Sequence, residues 1–379
     1  MKPGQLTKAE VERYSRQLVL PEMGPSGQAK LKGSSVIVVG AGGLGIPASV
    51  YLAAAGVGRI GIVDGDVVEK SNLHRQVIYS EADVGRPKAE VARRRLEKVN
   101  PNVSVVPHAL RLDSTNALKI LGEYDVVLDC TDNFPARYLI NDACVMLHRP
   151  DVYASIFRFD GQASVFDADR GPCYRCLFPE PPPPDTVQDC AVAGVLGVLP
   201  GVMGSILAAQ AINLIIGHGR PLVGRLLLFS ATDMTFNELR IGKNRGCPVC
   251  GNRPTITKLI DYEEFCGTKR ASPRVAEVDA TTLKRLMDSG SEIKLLDVRE
   301  PYEYELCHLP GSKLIPLGEL EKRVGELDPA DEIVVYCQVG ARSARAVELL
   351  SSKGFKRARN LMGGIRAWAD SVDPKMPVY

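Results

Sequence analysis

Residues 35–45 read Ser-Val-Ile-Val-Val-Gly-Ala-Gly-Gly-Leu-Gly, and this stretch decides the fold of the first part of the chain. A short run of β-branched residues that ends at a glycine is typical of a buried parallel strand. The glycines have the spacing G-x-G-x-x-G, and segment 47–55 reads as a helix with proline in its first turn and glycine after its last residue. A second apolar run at 59–63 completes a predicted βαβ unit.

The alternation of strands and helices continues on both sides of a break in the pattern. A helix at 88–99 and strands at 103–107 and 125–130 extend the first unit, which predicts a Rossmann-like doubly wound α/β sheet over residues 1–252. Residues 253–273 mix charges, proline and glycine without a sustained period, so we expect a linker there. Strands at 294–298 and 332–336 and a helix at 341–352 then predict a smaller α/β domain over residues 274–379.

Composition excludes several classes of protein. The 379 residues carry 47 Lys+Arg and 45 Asp+Glu, a net charge of +2, and 45% are hydrophobic. This balance excludes intrinsic disorder, and it argues against nucleic-acid binding, which usually requires a basic domain. The first residues lack a secretory signal, so we expect a cytoplasmic protein. The uncharged stretch 191–217 is broken by glycines and proline, and we interpret it as a loop leading into a buried helix rather than a membrane span.

The glycine turn predicts a nucleotide site. A phosphate binds well at the positive N-terminus of the following helix, and an acidic residue about twenty positions on holds a ribose hydroxyl. These features fit a NAD-dependent dehydrogenase as well as an ATP-using enzyme. The candidate residues are Gly40, Gly42, Gly43, Gly45 and Asp64.

Downstream residues separate these two hypotheses. The segments 71–76 (Ser-Asn-Leu-His-Arg-Gln) and 130–133 (Cys-Thr-Asp-Asn), together with Lys88, add two cations, an amide and a carboxylate. Hydride transfer does not need such a set, whereas phosphoryl or nucleotidyl transfer needs cations and a carboxylate-bound metal to offset phosphate charge. Asp132 follows a hydrophobic strand, at the sheet edge where α/β proteins place ligands. The pattern favours nucleotidyl transfer.

These motifs resemble the MoeB/ThiF group of the ubiquitin-activating-enzyme superfamily, from about Arg13 to Gly251. The resemblance implies ATP-dependent adenylation of the C-terminal glycine of a MoaD/ThiS-like, ubiquitin-like sulfur-carrier protein ending in Gly-Gly, with release of pyrophosphate. It also implies a homodimer, in which Arg16 reaches the neighbouring subunit's active site. In this family pattern Asp64 holds the ribose, and Asp66 belongs to the same motif. The phosphates are contacted by Asn72, Arg75 and Lys88. Asp132 holds Mg²⁺. The role of Gln76 stays open.

Four of the ten cysteines form two C-x-x-C pairs, Cys173/Cys176 and Cys247/Cys250. Two such pairs favour a tetrahedral zinc site, because each knuckle presents two thiolates and the site closes when the knuckles meet. A thioredoxin-like redox pair is the alternative, but neither motif opens a helix in the thioredoxin pattern. We therefore expect one structural Zn²⁺ per chain.

A fifth cysteine, Cys337, follows the predicted strand 332–336 and precedes a helix. Successive backbone N–H groups and the positive helix end stabilise a thiolate in such a loop. The domain resembles single-domain rhodaneses, with matching motifs at 296–300, 308–312 and 363–368. Phosphatases of the same fold have a longer loop between the cysteine and the arginine, here Arg342. The short loop predicts sulfur chemistry, with a persulfide on Cys337.

The two parts together resemble MoeZ-type adenylyltransferase/sulfurtransferases, which serve molybdopterin synthesis and related pathways. The resemblance implies that the Cys337 persulfide attacks the carrier acyl adenylate, with thiosulfate or a cysteine desulfurase as sulfur donor. Cys190 is a candidate for the reductive step that releases the thiocarboxylate. One alternative remains: the rhodanese-like half is only a binding module, and another protein supplies sulfur.

Overall fold

The computed structural model of the chain describes residues 6–182, 194–267, 275–377 and 379. They fall into two compact units, Met1–Lys269 and Arg270–Tyr379. Each unit is described by itself.

The first unit has one mixed sheet of eight strands with helices on both faces. The strands are β1 Ser35–Val39, β2 Arg59–Val63, β3 Ser104–His108, β4 Val126–Asp129, β5 Asp151–Phe157, β6 Asp160–Phe166, β7 Arg225–Ser230 and β8 Thr235–Arg240. The α-helices are Lys8–Arg13, Ser15–Leu18, Gly24–Gly33, Gly45–Ala55, Lys88–Val99, Ala117–Leu121, Phe134–Leu147, Tyr174–Leu177, Leu199–Ile216 and Tyr262–Phe265. Short 3-10 turns cover Lys70–Asn72 and Glu81–Asp83.

The strand order is β3-β2-β1-β4-β5-β6-β7-β8. Strands β1 to β5 pair in parallel, and β6 to β8 continue the sheet with antiparallel pairing. The chain moves from β1 to β2 on one side and returns to β4 on the other, so the order reverses beside β1. Ligands of doubly wound sheets bind outside the carboxyl ends of the strands at such a point. The predicted doubly wound fold is confirmed.

The residues of β1 divide between two cores because successive side chains of a strand point to opposite faces. Val36 and Val38 pack with the face covered by helices 45–55, 88–99 and 199–216. Ile37 and Val39 pack with the face covered by helices 117–121 and 134–147. Burial on both faces explains why this strand is a continuous apolar run.

Helix Leu199–Ile216 is the one described helix that is long and apolar enough to cross a membrane, with a mean hydropathy of 1.7. About half of it, 44%, is buried within the unit. A methyl group on Gly204 would lie 2.5 Å from the Leu44 carbonyl oxygen, so the helix packs closely against the start of helix 45–55. The position matches the expected core helix.

The first unit extends further along the chain than residue 252. Residues 253–267, which we expected to form part of the linker, include helix Tyr262–Phe265. Tyr262 and Cys266 are buried in the core that covers one face of the sheet. The Tyr262 hydroxyl donates to Asp142 at 2.8 Å. The sequence did not predict this packing, because the apolar residues of the segment are scattered among charges and proline.

The second unit is a smaller parallel sheet with order β11-β10-β12-β13-β9. Its strands are β9 Glu277–Val278, β10 Ile293–Asp297, β11 Lys313–Leu314, β12 Glu332–Tyr336 and β13 Ala358–Leu361. Its α-helices are Ala280–Asp288, Pro301–Leu306, Leu317–Arg323, Ala341–Ser352 and Gly364–Ser371, with a 3-10 turn at Val324–Glu326. The central strand β12 is buried on both faces. This confirms the smaller α/β domain.

Candidate active sites

The glycine turn lies between the ends of β1 and β4. Gly40 has φ +100°, and a Cβ there would lie 2.7 Å from the Cys130 carbonyl oxygen. A Cβ on Gly45 would lie 1.8 Å from the Gly40 carbonyl oxygen. Both positions therefore exclude larger residues. The turn opens helix 45–55, and the positive end of a helix favours an anion at such a turn.

Asp64 joins the glycine turn to the end of β2. Its carboxylate accepts from the backbone N–H groups of Ala41 and Asp66, each at 2.8 Å. Burial raises the pKa of Asp64, while the charge of Lys88 and these two hydrogen bonds act in the opposite direction. The carboxylate is thus fixed beside the turn, as a ribose-binding residue must be.

Lys88 is buried at the start of helix 88–99. Its ammonium lies 3.3 Å from Asp66, whose side chain is exposed. Desolvation of an ammonium is costly unless it is compensated, and one exposed carboxylate at this distance compensates only part of it. The Lys88 ammonium is therefore well placed to bind an additional anion.

Arg75 and Gln76 border the glycine turn from the other side. The Arg75 guanidinium donates to the Ser71 carbonyl at 3.1 Å, and no carboxylate of the described residues lies within salt-bridge distance of it. A Cβ on Gly43 would lie 3.6 Å from the Arg75 side chain, and one on Gly42 would lie 3.6 Å from the Gln76 amide. Asn72, also buried, accepts from the Glu69 backbone N–H at 3.3 Å. The Ser-Asn-Leu-His-Arg-Gln segment thus lies against the phosphate-binding turn.

Asp132 is exposed just after β4, where the Cys130 N–H donates to the Val39 carbonyl. Next to it, Arg137 is a buried cation that contacts the Thr131 carbonyl at 3.3 Å and forms no ion pair within the described residues. Its Nε has no hydrogen-bond partner in the described structure. The carboxyl end of β4 therefore combines an exposed carboxylate with a buried guanidinium.

The structure does not show two further predicted residues in this cluster. Arg16 is exposed on the short helix Ser15–Leu18. Its neighbour Tyr14 is buried and accepts a hydrogen bond from Asn100, so the segment is attached to the unit. Cys190 lies outside the described residues.

The two C-x-x-C pairs meet in space. All four Sγ atoms of Cys173, Cys176, Cys247 and Cys250 lie within 4.8 Å of one another. Cys173 is 3.5 Å from Cys247, and Cys176 is 3.4 Å from Cys250. With Zn–S bonds of ~2.3 Å, tetrahedral geometry places the sulfurs about 3.8 Å apart. The donor set therefore fits Zn²⁺.

Cys337 is buried at the end of β12, and two donors of its own loop point at its sulfur. The Gly340 backbone N–H lies 3.1 Å from Sγ, and the Ser343 hydroxyl lies 3.3 Å from it. Gly340 has φ +97°, which turns the loop back toward the sulfur at the N-terminus of helix 341–352. Donors placed in this way stabilise a thiolate or persulfide anion.

The start of helix 364–371 completes the loop. The Ile365 N–H donates to the Cys337 carbonyl at 2.8 Å, and the Arg366 N–H donates to the Gln338 carbonyl at 3.1 Å. A Cβ on Gly364 would lie 2.4 Å from the Cys337 carbonyl oxygen. The Gly-Gly motif thus permits a close approach that fixes the cysteine loop.

Arg342 forms its hydrogen bonds with a carboxylate rather than with the sulfur. Its guanidinium makes two parallel hydrogen bonds to Glu303, at 2.6 and 2.7 Å. Burial opposes ionisation of Glu303, but hydrogen bonds from Arg342, the Glu300 backbone and Tyr379 lower its pKa. Among the described contacts, Arg342 therefore interacts with Cys337 through its charge and not through a hydrogen bond.

Sequence reasoning missed several residues of both sites. Ser343 and Arg137 had local signals, since the first follows Arg342 directly and the second lies one helical turn beyond Asp132. Glu303 and Tyr379 had none, because they reach the cysteine loop from distant parts of the second unit.

Comparison with known families agrees with this division. The ThiF family model matches residues 14–249, and the model of the rhodanese-like domain matches residues 279–371. The first match covers more than half of the chain.

Curated relatives extend over the whole chain. Adenylyltransferase and sulfurtransferase MOCS3 of Aedes aegypti is 44% identical over 393 residues, covering 99% of this chain and 90% of that protein. The probable adenylyltransferase/sulfurtransferase MoeZ of Mycobacterium tuberculosis (strain ATCC 25618 / H37Rv) is 46% identical over 384 residues, covering 99% of this chain and 96% of the relative.

Among solved structures, that of E. coli MccB with ATP superposes with a TM-score of 0.58 and 27% identity, covering 66% of this chain and 77% of that one. A ThiF domain and a rhodanese-like domain thus occur in one chain. The chain therefore belongs to the ThiF family, among the adenylyltransferase/sulfurtransferases in which a ThiF domain precedes a rhodanese-like domain.

Proposed function

We propose that the first unit adenylates the C-terminal glycine of a ubiquitin-like sulfur-carrier protein and that the second unit converts it to a thiocarboxylate. One observation carries the proposal: Arg75, which has no carboxylate partner among the described residues, and Lys88, which is only partly compensated by the exposed Asp66, border a glycine turn at the switch point of the sheet. The relative solved with ATP supports the same ligand here.

The residues at the switch point have separate roles in this proposal. Asp64 holds the ribose, the glycine turn and Asn72 contact the phosphates, and Arg75 and Lys88 offset their charge. Asp132, an exposed carboxylate at the same edge, fits Mg²⁺, which prefers carboxylate and phosphate oxygens and withdraws charge from the phosphates when bound. Asp66 orients Lys88 through their ion pair.

The first step needs no general base. The carrier's terminal carboxylate is ionised at neutral pH, and its oxygen attacks the α-phosphorus of ATP. The bond from the α-phosphorus to the bridging oxygen breaks, and pyrophosphate leaves with that oxygen. Catalysis then depends on positioning the two anions and neutralising their charge.

The second step uses the persulfide on Cys337. A sulfur donor such as thiosulfate or a cysteine desulfurase transfers one sulfur atom to the thiolate; from thiosulfate, sulfite leaves. The terminal sulfur attacks the acyl-adenylate carbonyl and AMP leaves, giving an acyl disulfide between Cys337 and the carrier. Donors from Gly340 and Ser343 stabilise the sulfur anion before attack.

The third step is reductive. A thiolate attacks Cys337 Sγ, the disulfide bond breaks, and the carrier leaves as a thiocarboxylate. We propose Cys190 as this thiolate, which leaves a Cys190–Cys337 disulfide for an external thiol to reduce. The alternative role for the second unit, a binding module only, does not explain why two donors converge on the Cys337 sulfur.

The remaining parts of the proposal concern assembly and metal content. We propose a cytoplasmic homodimer in which Arg16 enters the partner subunit's nucleotide site, because Arg16 is exposed on a helix attached to the unit. We also propose one structural Zn²⁺ per chain at the four clustered sulfurs. Elemental analysis giving one zinc per chain is expected, and a folded protein without zinc would contradict it.

Carrier-dependent exchange of labelled pyrophosphate into ATP tests the adenylation half. Asp132→Ala and Lys88→Met are expected to lower the exchange rate ~100-fold or more, as removal of charge-stabilising groups does in other active sites. Lys98→Met is the matched control, because Lys98 is exposed on the same helix as Lys88. Exchange at the wild-type rate in Asp132→Ala would contradict the assignment.

A further inference from the structure

Tyr379 contacts the second unit through its hydroxyl and through its backbone carbonyl, and the second contact is with the loop 337–340 that follows β12, called the cysteine loop. Its hydroxyl donates to Glu303 at 2.6 Å and accepts from Arg299 at 2.9 Å. Its backbone carbonyl accepts from the side chain of Gln338, the residue directly after Cys337. One residue thus contacts the carboxylate that holds Arg342 and the loop that holds the nucleophile.

The hydroxyl bridges two ion pairs. Arg299 is fully buried and pairs with Asp297 at 2.6 Å, while Arg342 pairs with Glu303. Among the described residues, the other partners of the Glu303 carboxylate are the Glu300 backbone N–H and Arg342. Because a hydrogen bond to a carboxylate disperses its charge, the bridge reduces the degree to which Glu303 neutralises Arg342.

We propose that Tyr379 is a positioning residue for sulfur transfer. By bridging Arg299 and Glu303, its hydroxyl keeps the positive charge of Arg342 available to anions at Cys337. Its backbone carbonyl holds Gln338 and so positions the loop. The anions are the thiolate, its persulfide and an anionic sulfur donor such as thiosulfate. Tyr379 acts through Glu303, Arg342 and the loop, and does not touch the sulfur. The proposal rests on the proposed role of Cys337 as the sulfur-carrying residue.

Within the described residues, the network joined by Tyr379 contains four charged side chains. Arg342 and Glu303 reach the loop from helices 341–352 and 301–306, and Arg299 and Asp297 follow from the end of β10 through Tyr379. Loss of the hydroxyl therefore changes the electrostatic potential at the Cys337 sulfur without removing a charged residue.

Alkylation of Cys337 with two reagents of different charge measures the electrostatic potential at its sulfur. Iodoacetate is an anion and iodoacetamide is neutral, so the ratio of their rates at the Cys337 peptide, read by mass spectrometry, reports the local potential. Tyr379→Phe is expected to lower this ratio about three- to tenfold, a change of the size that one intramolecular hydrogen bond typically contributes. Gln338→Ala, which leaves the hydroxyl bridge in place, is expected to change both rates equally.

Tyr304→Phe is the matched control. It also removes a partly buried tyrosine hydroxyl's hydrogen bond in the same unit, at 2.9 Å to the Ser312 carbonyl, but that hydroxyl does not bond to the Glu303 carboxylate. A general loss of stability would change Tyr379→Phe and Tyr304→Phe alike.

Steady-state sulfur transfer from thiosulfate gives the second readout. Tyr379→Phe is expected to raise KM for thiosulfate about three- to tenfold, since it weakens the attraction for an anion, with a smaller change in kcat. An alkylation ratio and a KM equal to those of Tyr304→Phe would overturn the inference. Wild-type protein that forms no persulfide at Cys337 would instead contradict the proposed function, so the two failures are distinguishable.

Discussion

Asp151 is a buried carboxyl in the core of the first unit, at the start of β5. Burial and the neighbouring charge of Asp129 raise its pKa well above the usual value, and its Oδ1 has no hydrogen-bond partner in the described structure. The folded protein therefore keeps this proton at a pH where the unfolded chain has lost it. By linkage, the group makes the folded state less stable as pH rises above the unfolded pKa near 3.8.

Asp151→Asn removes this pH dependence. The free energy of unfolding of the variant, minus that of the wild type, is expected to increase as pH rises from 4 to 7, measured by urea denaturation. Asp83→Asn is the opposite control. Burial opposes ionisation of Asp83, but hydrogen bonds from Ser80 and Arg95 lower its pKa. The loss of unfolding free energy in Asp83→Asn is therefore expected to grow as pH rises. A difference for Asp151→Asn that is flat or falls with pH would contradict the linkage.

At the scale of elements, the second unit depends on the close approach of helix 364–371 to the cysteine loop. Gly364 has φ +61°, and a Cβ there would lie 2.4 and 2.5 Å from the carbonyl oxygens of Cys337 and Gln338. Those atoms are backbone, so they move only if the loop moves.

Gly364→Ala is therefore expected to displace the loop and lower thiosulfate sulfurtransferase kcat ~100-fold, because misplacement by ~1 Å has effects of this size. Adenylation, measured by pyrophosphate exchange, should keep its wild-type rate. The control is Gly318→Ala, which lies in a helix with open space at its Cβ. Full sulfurtransferase activity in Gly364→Ala would show that the loop does not need this approach.

The sequence predicted strands β1 to β4, β10 and β12, because these are short runs rich in apolar residues. It did not predict β8, which is exposed along its whole length and has no such run. The cluster of four cysteines was predictable in the same way, since each C-x-x-C pair has its own spacing. The extension of the first unit to residue 267 was not predictable, because Tyr262 enters the core from a segment rich in charges.

Contacts between distant residues were equally hidden. Glu303 reads as an ordinary helix residue near the start of 301–306, and only the fold brings it to Arg342. Tyr379 carries no motif at all. Conversely, the thiolate-stabilising loop was predicted from local sequence, and the structure adds that the donors are Gly340 and Ser343 rather than the arginine.

At the scale of the whole molecule, the position of Arg16 makes a prediction about assembly. Heterodimers that combine Arg16→Ala in one subunit with Asp132→Ala in the other, isolated with two affinity tags, should recover about half of the wild-type pyrophosphate exchange, because one site is intact. Both homodimeric variants should be inactive. If Arg16 acts within its own subunit, each site of the heterodimer lacks one residue, and activity stays at the level of the homodimers.

The joining of two activities in one chain is the central claim. Its most direct measurement is the intact mass of a carrier protein incubated with the full chain, ATP and thiosulfate, under a thiol reductant. The wild type should replace one oxygen of the carrier's C-terminal carboxylate by sulfur, and Cys337→Ala should accumulate only the acyl adenylate. Thiocarboxylate formed by Cys337→Ala at the wild-type rate would contradict the account and leave the second unit as a binding module.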